Sequence, residues 1–283
     1  MTSEPIFPAA PAAAPPPSPT LGNNLAVTWR VIFALMIRES RTRYGKSDLG
    51  YLWAVFDPLI QMAVLWTIFA LLQRSIPVPA SMPVFLMTGI MPYFFWRSCV
   101  SRGASAAGSN LQLLTYPQVK VLDIVVARVL LDAASFVVVT VIFVFGLRFF
   151  TGEPFTSWVR VPIILATAVA ALFYFSFCSA VFSSSLTRVW PLWPQVFAYA
   201  SRPLYFTSGI FFTLQSLPTG FRSLAGLIPM AHVLEWIRTG AIPGFISTSY
   251  SPSYVLWFGA ILLFLGMVME WGLRLIGHSD EAG

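Results

Sequence analysis

Charged side chains are scarce in this chain. They make up 10% of its 283 residues, against the roughly 25% that a soluble domain carries. So few charges cannot cover the surface of one or two water-soluble domains, and a soluble globule is excluded. Histidine occurs only as His232 and His278, which leaves no multi-histidine metal site, and no metal ligand is assigned. Cysteine occurs only as Cys99 and Cys178, both within apolar runs. They read as packing residues and not as a disulfide framework. A GxxxxGK[ST] phosphate loop is absent, so the chain has no nucleotide motor of that kind, and any active transport would draw its energy from a partner. Ser183-Ser184-Ser185 has no local histidine or acid beside it and reads as small-residue helix packing. No catalytic residue is assigned. The net charge of +6 is modest; its placement matters more than its size, and no nucleic-acid partner is expected.

Apolar surface is what the chain has in abundance: 57% of residues are hydrophobic, 16% are aromatic, and the mean hydropathy is +0.75. The expected fold class is therefore all-α integral membrane. Residues 1–23 hold Pro5, Pro8, Pro11, Pro15, Pro16, Pro17 and Pro19 among alanines, a composition that buries no core and reads as a disordered tail. Residues 24–46 read as an amphipathic helix lying in the membrane interface. Arg30, Arg38 and Arg41 share one face there, and Trp29, Ile32, Phe33, Met36 and Ile37 occupy the rest.

Six membrane spans are expected within residues 47–275: Leu52 to Leu72, Pro83 to Ser101, Ile124 to Leu147, Val161 to Phe182, Val189 to Thr213 and Tyr254 to Met269. Basic residues set the orientation. With the N-terminus inside, Arg30, Arg38, Arg41, Arg43, Lys46, Arg102, Lys120, Arg128, Arg188 and Arg274 are cytoplasmic. Arg74, Arg148, Arg160, Arg222 and Arg238 are external, and Arg97 and Arg202 lie within spans. Both termini, including the tail 276–283, are then cytoplasmic. The inner loop 102–123 predicts a short helix ended near Tyr116-Pro117. The outer segment 214–253 predicts two short helices divided at Ile228-Pro229, too apolar for a free loop.

Arg128 and Asp132 stand at i and i+4 on the third span and are expected to form an intramembrane pair, with orientation of that helix as its first role. Tyr93, Phe94, Phe95 and Trp96 point around the whole second span, Tyr174 lies in the fourth, and Tyr199, Tyr205 and Phe206 lie in the fifth. Aromatic faces stack on sugar rings, so these residues are candidates to line a channel; lipid-facing packing is the competing reading.

The segment Arg41 to Pro58, RTRYGKSDLGYLWAVFDP, resembles the opening segment of the membrane subunits of ABC polysaccharide exporters, the permeases for capsule, O-antigen and teichoic acid. Arg43-Tyr44, Leu49-Gly50-Tyr51, Trp53 and Pro58 carry the match. TYPQVKVLD with Ala127-Arg128 resembles that family's inner loop, and IPMAHVLEWIR, Ile228 to Arg238, its outer re-entrant segment. The resemblance implies a type-2 ABC exporter fold: a homodimer of six-span subunits, each docking a cytoplasmic subunit that binds ATP and Mg. Two such ATP-binding subunits would meet the interface helix and inner loop at Arg38, Arg41, Arg43, Tyr44, Tyr116, Pro117, Lys120 and Asp123. Closure of those subunits would push the inner loop and tilt spans one and five apart, passing a lipid-linked polysaccharide between the protomers. The outer helices would form a gate, with Pro229, His232, Glu235 and Arg238 in it. The expected location is the bacterial cytoplasmic membrane, and the expected role is that of a permease and not an enzyme. A related ABC permease for lipids or drugs, a polytopic enzyme acting on lipid-linked sugars, and a passive channel are the alternatives.

Overall fold

The computed structural model describes residues 21–44, 49–73, 75–110, 119–152 and 159–281. The chain is all helical there: α1 (Leu21–Tyr44), α2 (Leu49–Leu71), α3 (Met82–Ala104), α4 (Val121–Thr151), α5 (Pro162–Val189), α6 (Trp193–Thr207), α7 (Thr219–Ala225), α8 (Pro229–Ala241) and α9 (Pro252–Glu281). Two 3₁₀ turns, Gly108–Asn110 and Leu214–Ser216, interrupt the connections. Proline sits in the first turn of α3, α5, α6 and α8, where its missing N–H costs nothing. Asp123 turns back to the Lys120 N–H at 3.0 Å to open α4, and Gly152 closes that helix in the left-handed region at φ 71°.

The expectation of six spans is not met. Among the described residues three helices are long and apolar enough to cross a membrane: Val121–Phe149, Pro162–Val189 and Pro252–Leu273, within α4, α5 and α9. Within the described side chains of α2 the apolar stretch is Leu59–Leu71. The expected fifth span breaks up into α6, of only 15 residues, and an irregular turn in which Gly209 takes φ 84°. α3 is long, but Arg97, Ser98, Ser101 and Arg102 dilute its apolar character. Its position explains why that is tolerated. α3 packs against α2, α4, α5, α6 and α8, and Ser98 and Arg102 meet Asp132 of α4 there.

α5 is the centre of the bundle and packs on α3, α8 and α9, while α1 lies along α4. The end where α3 passes to α4 is called proximal here, and the end carrying α7 and α8 distal. Backbone contact holds the central crossings. A methyl group on Gly103 of α3 would overlap the Ala180 carbonyl of α5. One on Gly240 of α8 would stand 2.5 Å from Leu165 N, and Gly240 O accepts the N–H groups of Arg160 and Val161 at 3.0 Å each. Lipid gives apolar helices no hydrophobic reason to associate, so small residues that allow such approach supply the contact.

Gly240→Ala is therefore expected to lower stability by about 1–3 kcal/mol through overpacking, read as the unfolding midpoint of the detergent-solubilised protein. Gly146→Ala, where no atom lies within 4 Å of the added methyl, should leave the midpoint unchanged.

Candidate functional site

At the distal end, α8 is buried on nearly every face, although it carries a histidine, a glutamate and an arginine. Such a helix needs partners for each polar group. Arg238, wholly inaccessible to solvent, donates through Nη1 to Gly209 O (2.6 Å) and Phe212 O (2.9 Å) and through Nη2 to Ile210 O (2.8 Å). Its guanidinium also lies 4.2 Å from the centroid of the Phe85 ring. Three carbonyls left over where α6 ends are thus met by one side chain. Burial pulls the Arg238 guanidinium down to about 10, with the Glu235 carboxylate opposing, so it stays cationic at neutral pH. Gly89 on α3 makes room for it: a methyl there would stand 3.0 Å from Nη2.

Glu235 accepts the Leu214 N–H at 2.8 Å and so anchors the start of the 3₁₀ turn. The sequence suggests a Glu235–Arg238 pair; the structure sends each to a different stretch of backbone. His232 is placed by both ring nitrogens. The Ser251 N–H donates to Nδ1 at 3.1 Å, so Nε2 carries the proton and donates to Gly226 O at 2.8 Å. Its ring meets Tyr254 edge-on at 5.0 Å, and the Tyr254 hydroxyl donates to Leu227 O at 2.8 Å. Pro229 opens α8. The four candidate gate residues therefore share one short helix that ties together the ends of α6, α7 and α9.

The proximal end is organised around Arg128 on α4. Nη1 donates to Arg102 O (2.8 Å) and Ser105 Oγ (3.0 Å), and Nη2 to Ser109 Oγ (2.7 Å). Nε stands 3.1 Å from Glu39 Oε1 on α1, and Nη2 donates to Glu39 Oε2 at 3.5 Å. Asp132 takes Arg102 Nε at 3.3 Å and the Ser98 hydroxyl at 3.1 Å. Each member of the expected Arg128–Asp132 pair forms an ion pair with another helix, Arg128 with Glu39 and Asp132 with Arg102. Arg188 of α5 meets Glu270 of α9 at 2.5 Å at the same end. Arg38, Arg41 and Lys120 are exposed there, whereas Asp123 is buried as the cap of α4. The side chains of Arg43 and Tyr44, and the whole of Tyr116 and Pro117, lie outside the described residues.

The candidate channel aromatics divide into three groups. Tyr93, Phe95 and Trp96 are core residues: Tyr93 donates to Ser201 O, and Trp96 Nε1 to Ser179 Oγ at 3.2 Å. Tyr199 and Phe206 on α6 are 70% and 62% exposed. Phe94, Tyr174 and Tyr205 are half-buried, with Tyr205 joining Tyr93 and Phe211 at ring distances of 5.3 Å. An apolar cavity of about 480 Å³ between α2, α3 and α4 is lined by Leu59, Met62, Trp66, Leu86 and Phe143, among others. It offers sugar hydroxyls almost no hydrogen-bonding partner.

Residues 30–242 match the family model of the ABC-2 type transporter. The chain belongs to that family. It is 32% identical over 236 residues to the polysialic acid transport protein KpsM of Escherichia coli, covering 83% of this chain and 90% of that protein. To the capsule polysaccharide export inner-membrane protein CtrC of Neisseria meningitidis it is 29% identical over 259 residues, 87% of this chain and 92% of the other. The O-antigen export system permease protein RfbA of Klebsiella pneumoniae is 24% identical over 253 residues, 87% and 90% of the two chains. An ABC-2 type transporter chain works by transport and not by catalysis. The match takes in both ends, from Arg30 on α1 to Ile242 just past α8.

Sequence reasoning missed Glu39, Arg102, Ser105 and Ser109. Nothing local marks them, because their common partner Arg128 reaches them across segments 19 to 89 residues away in the chain. Arg238→Gln is expected to leave buried carbonyls of residues 209–212 without a charged donor, costing about 3 kcal/mol or more. Limited proteolysis between Thr207 and Leu217 and the unfolding midpoint in detergent check this; unchanged values for both would remove the capping role.

Proposed function

We propose that this chain is the membrane subunit of an ATP-driven exporter that carries lipid-linked polysaccharide of the capsule or O-antigen class across the bacterial cytoplasmic membrane. The observation that carries this reading is the extent of the likeness to export proteins of that class. It runs along more than four fifths of both chains, so what is shared is the whole subunit and not a detachable module. Two copies of the chain would work with two separate ATP-binding subunits, which would hold ATP and Mg. Both termini would be cytoplasmic, with the proximal end inward. The exposed Arg38, Arg41 and Lys120 at that end support this orientation, since basic residues favour the cytoplasmic side.

In this reading the amphipathic helix α1 and the loop between α3 and α4, with Tyr116 and Pro117 in it, meet the ATP-binding subunits, and α7 and α8 close the outer exit. The exposed face of α6 would meet the glycan between the two copies. Tyr199 and Phe206 lie there with Arg202, whose guanidinium stands 6.0 Å from the Tyr199 ring centroid. Flat aromatic rings offer each sugar a weak and similar contact, so a polymer can slide across them without being held. Tyr93, Phe95 and Trp96 would act behind that face as its rigid backing.

Vesicles holding this chain with an ABC ATPase, given ATP, Mg and lipid-linked capsular glycan, are expected to accumulate glycan. Vesicles holding the chain alone should not. Tyr199→Ala combined with Phe206→Ala should slow accumulation roughly tenfold, the scale of one or two aromatic stacking interactions. Concentrative transport by this chain without an ATPase would overturn the proposal.

A further inference from the structure

We infer that Arg128 is the positioning residue of the proximal loop, clasping α1, the end of α3 and the 3₁₀ turn Gly108–Asn110 to α4 through one guanidinium. Its side chain is 7% exposed, yet its partners come from separate stretches of chain: Glu39, Arg102 O, Ser105 Oγ and Ser109 Oγ. Three of these belong to the chain leaving α3, so they set the direction in which the loop departs. The fourth belongs to α1. Only a planar fork with five donors can serve such a spread of acceptors at fixed angles; an ammonium has three donors and no plane.

The links in this network differ in firmness. α3 is tied to α4 a second time, by Arg102–Asp132 with Asp132 3% exposed. That contact keeps the end of α3 in place whatever α1 does. α1 has less to hold it: of the α1 side chains described, only Ile32 is buried, and Glu39 is 22% exposed. Both ion pairs have one partner at the water boundary, Arg102 being 25% exposed, but the Ser98–Asp132 and Arg128–Arg102 O bonds hold the end of α3 besides, so it stays in place when one ion pair opens. Glu39–Arg128 is thus the link that can open, while the bonds from Arg128 to the loop persist. Movement of α1 against α4 pulls on the guanidinium that fixes the first residues of the loop, and movement of the loop pulls on α1 in return. The relay rests on the reading that an ATP-driven partner acts at the proximal end; the clasp itself does not.

The two parts are tested separately. In nanodiscs holding the full chain, spin labels at Ile37→Cys on α1 and Gly108→Cys on the turn report their separation by pulsed electron resonance. Cys99 and Cys178 are buried and escape labelling. With labelled chains diluted into unlabelled ones, a single narrow distance within the chain is expected for the parent, a broadened distribution for Glu39→Gln, and a partial broadening for Arg128→Lys. Unchanged distributions in both variants overturn the clasp. In vesicles with the ABC ATPase, glycan moved per ATP hydrolysed is expected to fall roughly tenfold in Glu39→Gln while hydrolysis continues and the partner still copurifies. A misfolded variant would lower both quantities together and leave their ratio alone. An unchanged ratio in a Glu39→Gln complex that hydrolyses ATP at the parent rate overturns the relay. A parent complex that hydrolyses ATP and moves no glycan sinks the export reading, and with it the relay, while the measured distances still decide the clasp.

Discussion

A helix that stops inside protein leaves carbonyl groups that water cannot reach, and this chain meets that constraint with arginine. Arg128 takes the Arg102 carbonyl at the end of α3, and Arg238 takes Gly209, Ile210 and Phe212 beyond α6. Arg160 takes Phe245 O beyond α8 at 2.9 Å, and Arg222 takes Gln215 O and Leu217 O around the second 3₁₀ turn. In water the last four carbonyls of a helix are satisfied at no cost; in a bundle of 57% hydrophobic residues each is a liability of about 1–3 kcal/mol. One guanidinium relieves several at once, which reconciles a chain so poor in charge with so many broken and short helices.

The same constraint sorts the helices by neighbour. α4, α5 and α9 satisfy their own backbones over long uninterrupted stretches and can face lipid. α3 and α8 carry arginine, glutamate, histidine and serine and pack largely against protein. α5 belongs to both groups. Its outer part is apolar, while its buried serines receive indole N–H groups, Ser179 from Trp96 and Ser183 from Trp193 at 2.7 Å. Hydropathy alone therefore separates helices that meet lipid from helices that meet protein, and it is a poor guide to how many helices the bundle contains.

That distinction explains what was legible in the sequence. The helical class, the long runs at α4 and α5 and the special character of Ile228 to Arg238 all follow from local pattern, because each is a property of consecutive residues. The count of spans failed at α2, α3 and α6; at α6, Pro194 stands in the first turn and Gly209 takes φ 84° just past the end, bounds that apolar content alone concealed. Arg128 and Asp132 show the limit from the other direction. Four residues apart on one helix, they look like partners, yet Glu39 and Arg102 lie on other helices with better geometry, and spacing along the chain carries no trace of them. Tyr93, Phe95 and Trp96 were recognisable as unusual, but only packing tells a buried ring from a displayed one.

The two ends of the bundle are held by different physics, and the difference bears on which of them can move. At the distal end the polar groups are sealed: Arg238, Glu235 and His232 are buried and bound mainly to backbone. Opening any one of those contacts would strand a charge or a carbonyl in a dry interior, at a cost of several kcal/mol. Motion there must carry α8 and its bound turns as one body. At the proximal end Arg128–Glu39, Arg102–Asp132 and Arg188–Glu270 join side chains on different helices, each pair with one partner open to solvent by 22–29%. Water can take over Glu39 when α1 moves, and Arg128 keeps its other acceptors, so their link can break and reform without a stranded charge, while Asp132 stays buried between α3 and α4. A force applied by a partner would find a joint at the proximal end and a rigid block at the distal end. That is the order of stiffness required if a push at one face is to reach the other undiminished.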